Sequence, residues 1–159
     1  INIMPAASGF VKTVLAEAEK ISGGRHGISL SDGVSQLLPD PDKNSTCKRL
    51  CMFLRWLTRG PDMIDFGIIK KIPASKLVMP LDTHIHRISG MLGLTARRDQ
   101  SLKTAVEITE ALKLLDPDDP VKYDFAICHI GISGLCKKGR EGENCENCPL
   151  EKICDKNKI

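Results

Sequence analysis

The chain lacks any apolar run near the roughly 20 residues that a membrane-crossing helix needs, and its start carries no secretory signal pattern. It also lacks an alternating apolar–polar stretch long enough for a half-buried strand, and it has no internal repeat. These absences exclude a helical membrane protein, a sheet-built fold and a solenoid. Strong charge imbalance is missing too: the net charge of +3 is compatible with a polyanionic partner without demanding one. Seven cysteines are an odd number, ill suited to a fully paired secreted scaffold, so a reducing cytoplasm is expected. What remains is 159 residues, 42% apolar and 27% charged, enough for one domain with a core and a small appendage.

Nearly every segment then reads as helix, and the class is all-α. Val11, Val14, Leu15 and Ala18 fall at helical spacing over 10–21, and Ser22-Gly23-Gly24 ends that run. A short helix over 29–38 is closed by Pro39-Asp40-Pro41, and Asn44 or Ser45 is placed to cap an apolar helix through Leu57. Gly60-Pro61 breaks it, and 61–79 reads as irregular, with one helical turn over 65–70. Asp82 caps a helix that Gly93 ends. A further helix covers 101–115, and the last runs from Val121 to about Ile130 behind Asp119-Pro120, as cap and first residue.

The tail reads Cys136-x8-Cys145-x2-Cys148-x5-Cys154. Thiols this close in sequence can reach one centre without help from the rest of the fold, and the C-x-x-C pair chelates from one tight turn that Pro149 stops from running on. Thiolates without histidine suit a structural zinc or an iron–sulfur cluster, and a disulfide is the plain alternative. Cys47, Cys51 and Cys128 read as small core residues.

Two further residues carry chemistry. Asp82, behind Pro80-Leu81, sits where a carboxylate accepts backbone N–H groups and is favoured by the helix dipole; its plain role is capping. His84 and His86 lie two apart on the same helix, so they point to opposite sides and cannot share a metal ion with Asp82. Lys48 and Arg49 occupy the first turn of a mostly apolar helix, against its dipole, an arrangement that suits an anion or a reaction. A lysine beside buried surface can act as an amine nucleophile, and its plain role is a snorkelling surface cation.

Leu81-Asp82-Thr83-His84-Ile85 with Arg87, a following helix pair and then the four-cysteine tail resembles the helix-hairpin-helix DNA glycosylase superfamily, its endonuclease III branch in particular. The stretch from Leu37 to Cys136, with Cys47-Lys48-Arg49-Leu50 and Asp119-Pro120-Val121-Lys122-Tyr123-Asp124-Phe125-Ala126, is similar to an uncharacterised bacterial family of glycosylase relatives. The resemblance implies base-excision repair: a damaged base is flipped from duplex DNA and its N-glycosidic bond is cut. It implies that Asp82 stabilises the cationic sugar or assists the nucleophile, and that Lys48 attacks the sugar, forms a Schiff base and nicks the strand as an AP lyase. Asp82 follows Lys48 by 34 positions, a gap near that of the archaeal 8-oxoguanine branch. The hairpin, here Pro39-Asp40-Pro41-Asp42-Lys43-Asn44-Ser45, is implied to hold the DNA backbone, with Asn44 tolerating φ > 0 and Asp40 and Asp42 as poor neighbours for phosphate.

On this reading, residues 1–38 are N-terminal helices, truncated or shorn of the usual base pocket. Residues 39–130 are the helix-hairpin-helix domain, and 131–159 are the cluster loop. Asn44, Ser45, Arg49, Lys137, Lys138 and Arg140 are the expected DNA contacts. Cys136, Cys145, Cys148 and Cys154 are the expected ligands of a [4Fe–4S] cluster, with zinc as the alternative. The partner is duplex DNA, bound by a monomer in the cytoplasm. Two rival readings stand beside the glycosylase: an iron–sulfur DNA-binding module with little or no catalysis, and a small zinc-binding helical protein.

Overall fold

The computed structural model describes residues 2–22, 30–43, 45–134, 136, 145 and 148–155. Among them lie six α-helices and no strand: α1 (Met4–Ser22), α2 (Leu30–Leu37), α3 (Lys48–Thr58), α4 (Thr83–Met91), α5 (Leu102–Lys113) and α6 (Asp124–Ile132). Single 3-10 turns occur at Pro41–Lys43, Ala74–Lys76, Pro120–Tyr123 and Glu151–Ile153. The chain is all-α. None of these helices is long and apolar enough to cross a membrane.

Helix α1 starts at Met4, earlier than the apolar pattern from residue 10 suggests. The Met4 N–H donates to Asn2 Oδ1 at 3.0 Å, and Pro5 falls in the first turn, where its missing N–H costs nothing. Met4, Ala7, Val11 and Ala18 form its buried stripe. Met4, Ala7 and Val11 join Leu50 and Cys51 of α3, Ile85 and Ile88 of α4, and Ala105, Ile108 and Leu112 of α5 in one core. Cys47 and Cys51 are fully enclosed there, as the sequence suggests.

The helical turn expected over 65–70 is absent. The N–H groups of Phe66 and Ile69 instead donate to Trp56 O (2.8 Å) and Leu57 O (2.7 Å), satisfying carbonyls that the end of α3 leaves open. Gly60 (φ 98°) and Gly67 (φ 61°) let this return fold back on itself: a Cβ on Gly67 would stand 2.5 Å from the Gly60 carbonyl carbon. The single helix expected from Val121 to about Ile130 is also divided. Pro120–Tyr123 is a 3-10 turn leading into α6, and Asp119 makes no side-chain cap there; its Oδ2 accepts from Arg59 Nε at 2.7 Å.

Candidate active site

Residues 77–81 are buried throughout and carry the chain through the core to Asp82; the Met79 N–H is fixed to Thr109 Oγ1 of α5 at 3.0 Å. Asp82 is extended and caps α4, its Oδ1 accepting the Ile85 N–H at 2.8 Å. At the other end of α4, Gly93 takes φ 73°, with Leu94 N–H on Ser89 O (2.9 Å) and Gly93 N–H on Gly90 O (3.1 Å). This is a Schellman closure, with Gly93 in the role the sequence gives it. With Oδ1 committed to the cap, Asp82 Oδ2 receives Lys48 Nζ at 3.0 Å.

Lys48 is the first residue of α3. The expected cap by Asn44 or Ser45 is not what precedes it. Cys47 holds the cap position in the left-handed region (φ 50°, ψ 32°) and makes no side-chain cap bond. Ser45 Oγ accepts from the Cys47 N–H at 3.3 Å, and the Cys47 thiol donates to Pro39 O at 3.3 Å. This small, fully buried side chain is what a position so close to the Pro39 backbone allows. Asn44 lies outside the described residues.

The ammonium of Lys48 and the positive end of α3 meet one counter-charge in Asp82. Burial pushes the Asp82 carboxyl up. The Ile85 N–H, the Lys48 ammonium and the charge of His84 outweigh it and hold the acid below its ordinary value, so Asp82 is an anion. The Lys48 side chain is 42% exposed and that of Asp82 17%, so the pair sits at the rim of the core within reach of a ligand.

The electrostatic roles of Asp124, Cys128 and Asp65 escape a sequence reading. Asp124, the first residue of α6, is buried and accepts from Arg55 Nη1. Burial raises its pKa to about 6 against the pull of Arg55, and the negative charges of Asp82 and Asp65 add to the rise. Burial also raises the Cys128 thiol, again helped by Asp82 and Asp124. Arg55 reaches on to Asp65 at 3.2 Å, and Arg59 binds the same carboxylate at 2.7 Å. The sequence signal for this network is a single one: an arginine at 55 on the otherwise apolar face of α3.

Beside Lys48 opens a cleft of about 1160 Å³ between α1, α2 and α3. Phe10, Met52, Phe53 and Trp56 supply much of its apolar wall, and Arg49 stands at the same edge as Lys48. Residues of α1 and α2 supply part of this wall.

The other sequence candidates separate. Asp40 accepts from Ser8 Oγ at 2.7 Å, and Asp42 accepts from Ser8 Oγ and pairs with Lys12, so both hairpin acids turn towards α1. Arg49 Nη1 donates to Gln36 O at 3.0 Å. His86 Nε2 bonds to Arg97 O at 3.0 Å, while His84 packs against Gly131. Lys137, Lys138 and Arg140 lie outside the described residues.

No disulfide joins the cysteines. The Cys136 thiol accepts Arg87 Nη1 at 3.0 Å and lies 4.0 Å from Met91 Sδ. The Cys148 N–H closes the tight turn on Cys145 O at 2.9 Å, and the Asp155 N–H donates to Met91 O at 2.8 Å. Cys136 and the neighbour of Cys154 therefore meet the same end of α4. Four thiols are the donor type that a zinc or iron–sulfur centre takes. Among the described residues, no three Cys, His, Asp or Glu side chains converge as a ligand group.

No curated protein and no solved structure matches the chain significantly. A family model described as "Protein of unknown function (DUF2400)" matches residues 3–133, the span that carries Lys48, Asp82, Asp124 and the cleft, and the chain belongs to that family.

Proposed function

We propose that this chain carries a base-excision site of the helix-hairpin-helix glycosylase type, acting on damaged bases in duplex DNA with Lys48 as nucleophile and Asp82 as its charged partner. The observation that carries the reading is the 3.0 Å contact between these two side chains, 34 positions apart, beside an apolar cleft. The cleft receives the flipped base, and its aromatic walls stack on it. At rest Lys48 is an ammonium paired with Asp82. On reaction its proton passes to solvent water, which reaches this half-exposed side chain, and the free amine forms a bond to the sugar C1′. The C1′–N bond breaks, and the base leaves with the electron pair and takes up a proton from solvent water. Asp82, kept anionic by its cap and its lysine, offsets the positive charge that builds on the sugar. Ring opening then leaves an iminium on Lys48, and elimination breaks the strand on the 3′ side. Asp124, with its raised pKa, is a second carboxyl near the site that exchanges protons close to neutral pH.

Cys136, Cys145, Cys148 and Cys154 would hold a [4Fe–4S] cluster, zinc being the alternative. With all four positions filled by cysteine, such a group would supply rigidity and DNA positioning rather than an open coordination site. Lys137, Lys138 and Arg140 between the first two ligands would contact phosphate, as would Ser45 and Arg49 at the start of α3. The protein would act as a nucleoid-associated monomer in the cytoplasm.

Borohydride trapping on a panel of damaged duplexes tests the chemistry. A covalent protein–DNA adduct is expected from the wild type and none from Lys48→Ala, and Asp82→Asn should lose base release. Salt-dependent DNA binding with neither adduct nor excision would leave only the DNA-binding module. Iron and sulfide in the purified protein support the cluster; stoichiometric zinc without iron supports the alternative.

A further inference from the structure

We propose that Arg55 is a positioning residue for Lys48: it holds Asp124 as its own counter-charge and so leaves the Lys48 amine to Asp82. The inference rests on reading Lys48 as the reacting amine, and it adds how that amine is kept on one of the two carboxylates near it.

Spacing on α3 sets up the arrangement. Arg55 follows Lys48 by seven positions (55 − 48), so both side chains leave the same face of the helix, about 10 Å apart along its axis. Each cation meets a carboxylate at the start of a different helix. Lys48 pairs with Asp82, the cap of α4, at 3.0 Å, and Arg55 Nη1 donates to Asp124, the first residue of α6. Helices α4 and α6 pack tightly where Gly131 meets His84, which brings the two carboxylates together. The thiol of Cys128, one turn after Asp124, is acted on by Asp82, Asp124, Lys48 and Arg55 alike, so the four charges surround one half-buried group.

Burial decides which pair governs the other. The Arg55 and Asp124 side chains are 7% and 10% exposed, against 42% for Lys48. A buried carboxylate stripped of its cation takes another or takes up a proton. Asp65 also binds Arg55, at 3.2 Å, but it has a second cation in Arg59 at 2.7 Å. Asp124 has no second ion pair among the described residues. Without Arg55, the cation left to it is the Lys48 ammonium, whose charge already acts on its carboxyl. A Lys48 shared between two anions holds its proton harder and is drawn from Asp82 towards α6.

The test reads the Lys48 amine directly and needs no lesion. The full chain is pulse-labelled with acetic anhydride at about pH 9, above the Asp124 titration, and acetylation of Lys48 is followed by peptide mass spectrometry. Charges about 10 Å apart in a partly wetted site change the free-amine fraction by about tenfold. Arg55→Gln should therefore label Lys48 about tenfold more slowly than the wild type, and Asp124→Asn should label it faster. The double variant Arg55→Gln with Asp124→Asn removes both charges together and should return to within about twofold of the wild type. Arg55→Lys keeps the cation and should stay near the wild type as well. Urea midpoints are measured alongside. A purely structural role would lower stability in Arg55→Gln and in the double variant without separating their labelling rates. Should Arg55→Gln fail to fold, Asp124→Asn and Arg55→Lys decide.

Labelling in Arg55→Gln at the wild-type rate overturns the proposal. So does a double variant as slow as Arg55→Gln, or an Asp124→Asn variant no faster than the wild type. Borohydride trapping of the same proteins on a duplex with one abasic site keeps the two readings apart. Labelling that follows this pattern with no trapped DNA sinks the lyase reading and leaves the role of Arg55 standing. Trapping by the wild type, with labelling indifferent to Arg55 and Asp124, does the reverse.

Discussion

Arg87 of α4 donates to Cys136 twice, from Nη1 to the thiol at 3.0 Å and from Nη2 to the backbone carbonyl at 2.8 Å. The helix capped by Asp82 and the start of the cysteine segment are thereby clamped through a planar fork. A metal centre on that segment and the residue opposite Lys48 would share one rigid element.

Arg87→Ala should therefore cost more than an ordinary surface change. Two bonds from a charged donor in a half-buried site are worth about 1.5–3 kcal/mol. Chemical denaturation should show a loss of that order, and any bound iron or zinc should leave faster on dialysis. Arg87→Lys keeps the charge without the fork and should recover only part of both. An unchanged midpoint for Arg87→Ala would show that the clamp does not hold the segment.

Gly131 on α6 faces His84 on α4 so closely that an added Cβ would stand 2.7 Å from both His84 Cβ and Nδ1. The ring can swing aside, but the His84 Cβ moves only with the helix. Gly131→Ala should destabilise by about 1–3 kcal/mol, the usual range for overpacking, despite alanine's better helix propensity. The shift should also displace Asp82, two positions before His84, so base release should fall with stability. His84→Gly in the same chain should restore both. A stabilised Gly131→Ala protein would mean that α4 and α6 lie further apart than described.

The parts of this fold that a sequence discloses are the local ones. Asp82 before an apolar run, Ser101 three positions before Thr104, and Gly93 after Leu92 each satisfy their own backbone within a turn. Lys48 and Asp82 were legible as residue types; their 3.0 Å contact depends on residues 77–81 crossing the core, which no periodicity reports. The start of α3 differs from the sequence pattern because its left-handed residue is Cys47, a type with no special liking for φ > 0, held there by Pro39 and the core. Asp119 reads as a cap but makes none, and its Oδ2 meets Arg59, 60 positions earlier. The Arg55–Asp124 pair spans 69 positions and is invisible for the same reason.

Asp124 gives the stability curve a distinctive limb. Its pKa is raised from 3.8 to about 6 in the folded state, so between those values the folded chain holds a proton that the unfolded chain has lost. Stability therefore falls as pH rises through this window. Asp40, Asp42, Asp62, Asp82, Asp99 and Asp116 have lowered values; their contribution is present above 3.8 and is lost as pH falls below it. The two effects occupy separate ranges. Asp124→Asn should flatten the upper limb and leave the acid limb intact. Midpoints of urea unfolding across pH 4 to 7 (about one point per half unit) would reveal it. A limb that persists in Asp124→Asn belongs to some other group.

Asp65 is the hinge of the buried charge network. Its side chain is fully enclosed, with Oδ1 on Arg55 Nε at 3.2 Å and Oδ2 on Arg59 at 2.7 Å. Removing one member of a buried pair strands the others, so Asp65→Ala should cost about 3–5 kcal/mol. A second readout separates charge from packing. Asp65 is one of the anions that push the Asp124 carboxyl up, so its loss should draw the Asp124 titration below about 6. The upper pH limb should then move to lower pH in Asp65→Ala. In Asp65→Asn, which keeps the volume and one acceptor, it should move just as far with a smaller loss of stability. If the Asn variant left the limb in place, Asp65 would be acting on α3 and its return loop through shape alone, and its charge would not reach the Asp82 end of the network.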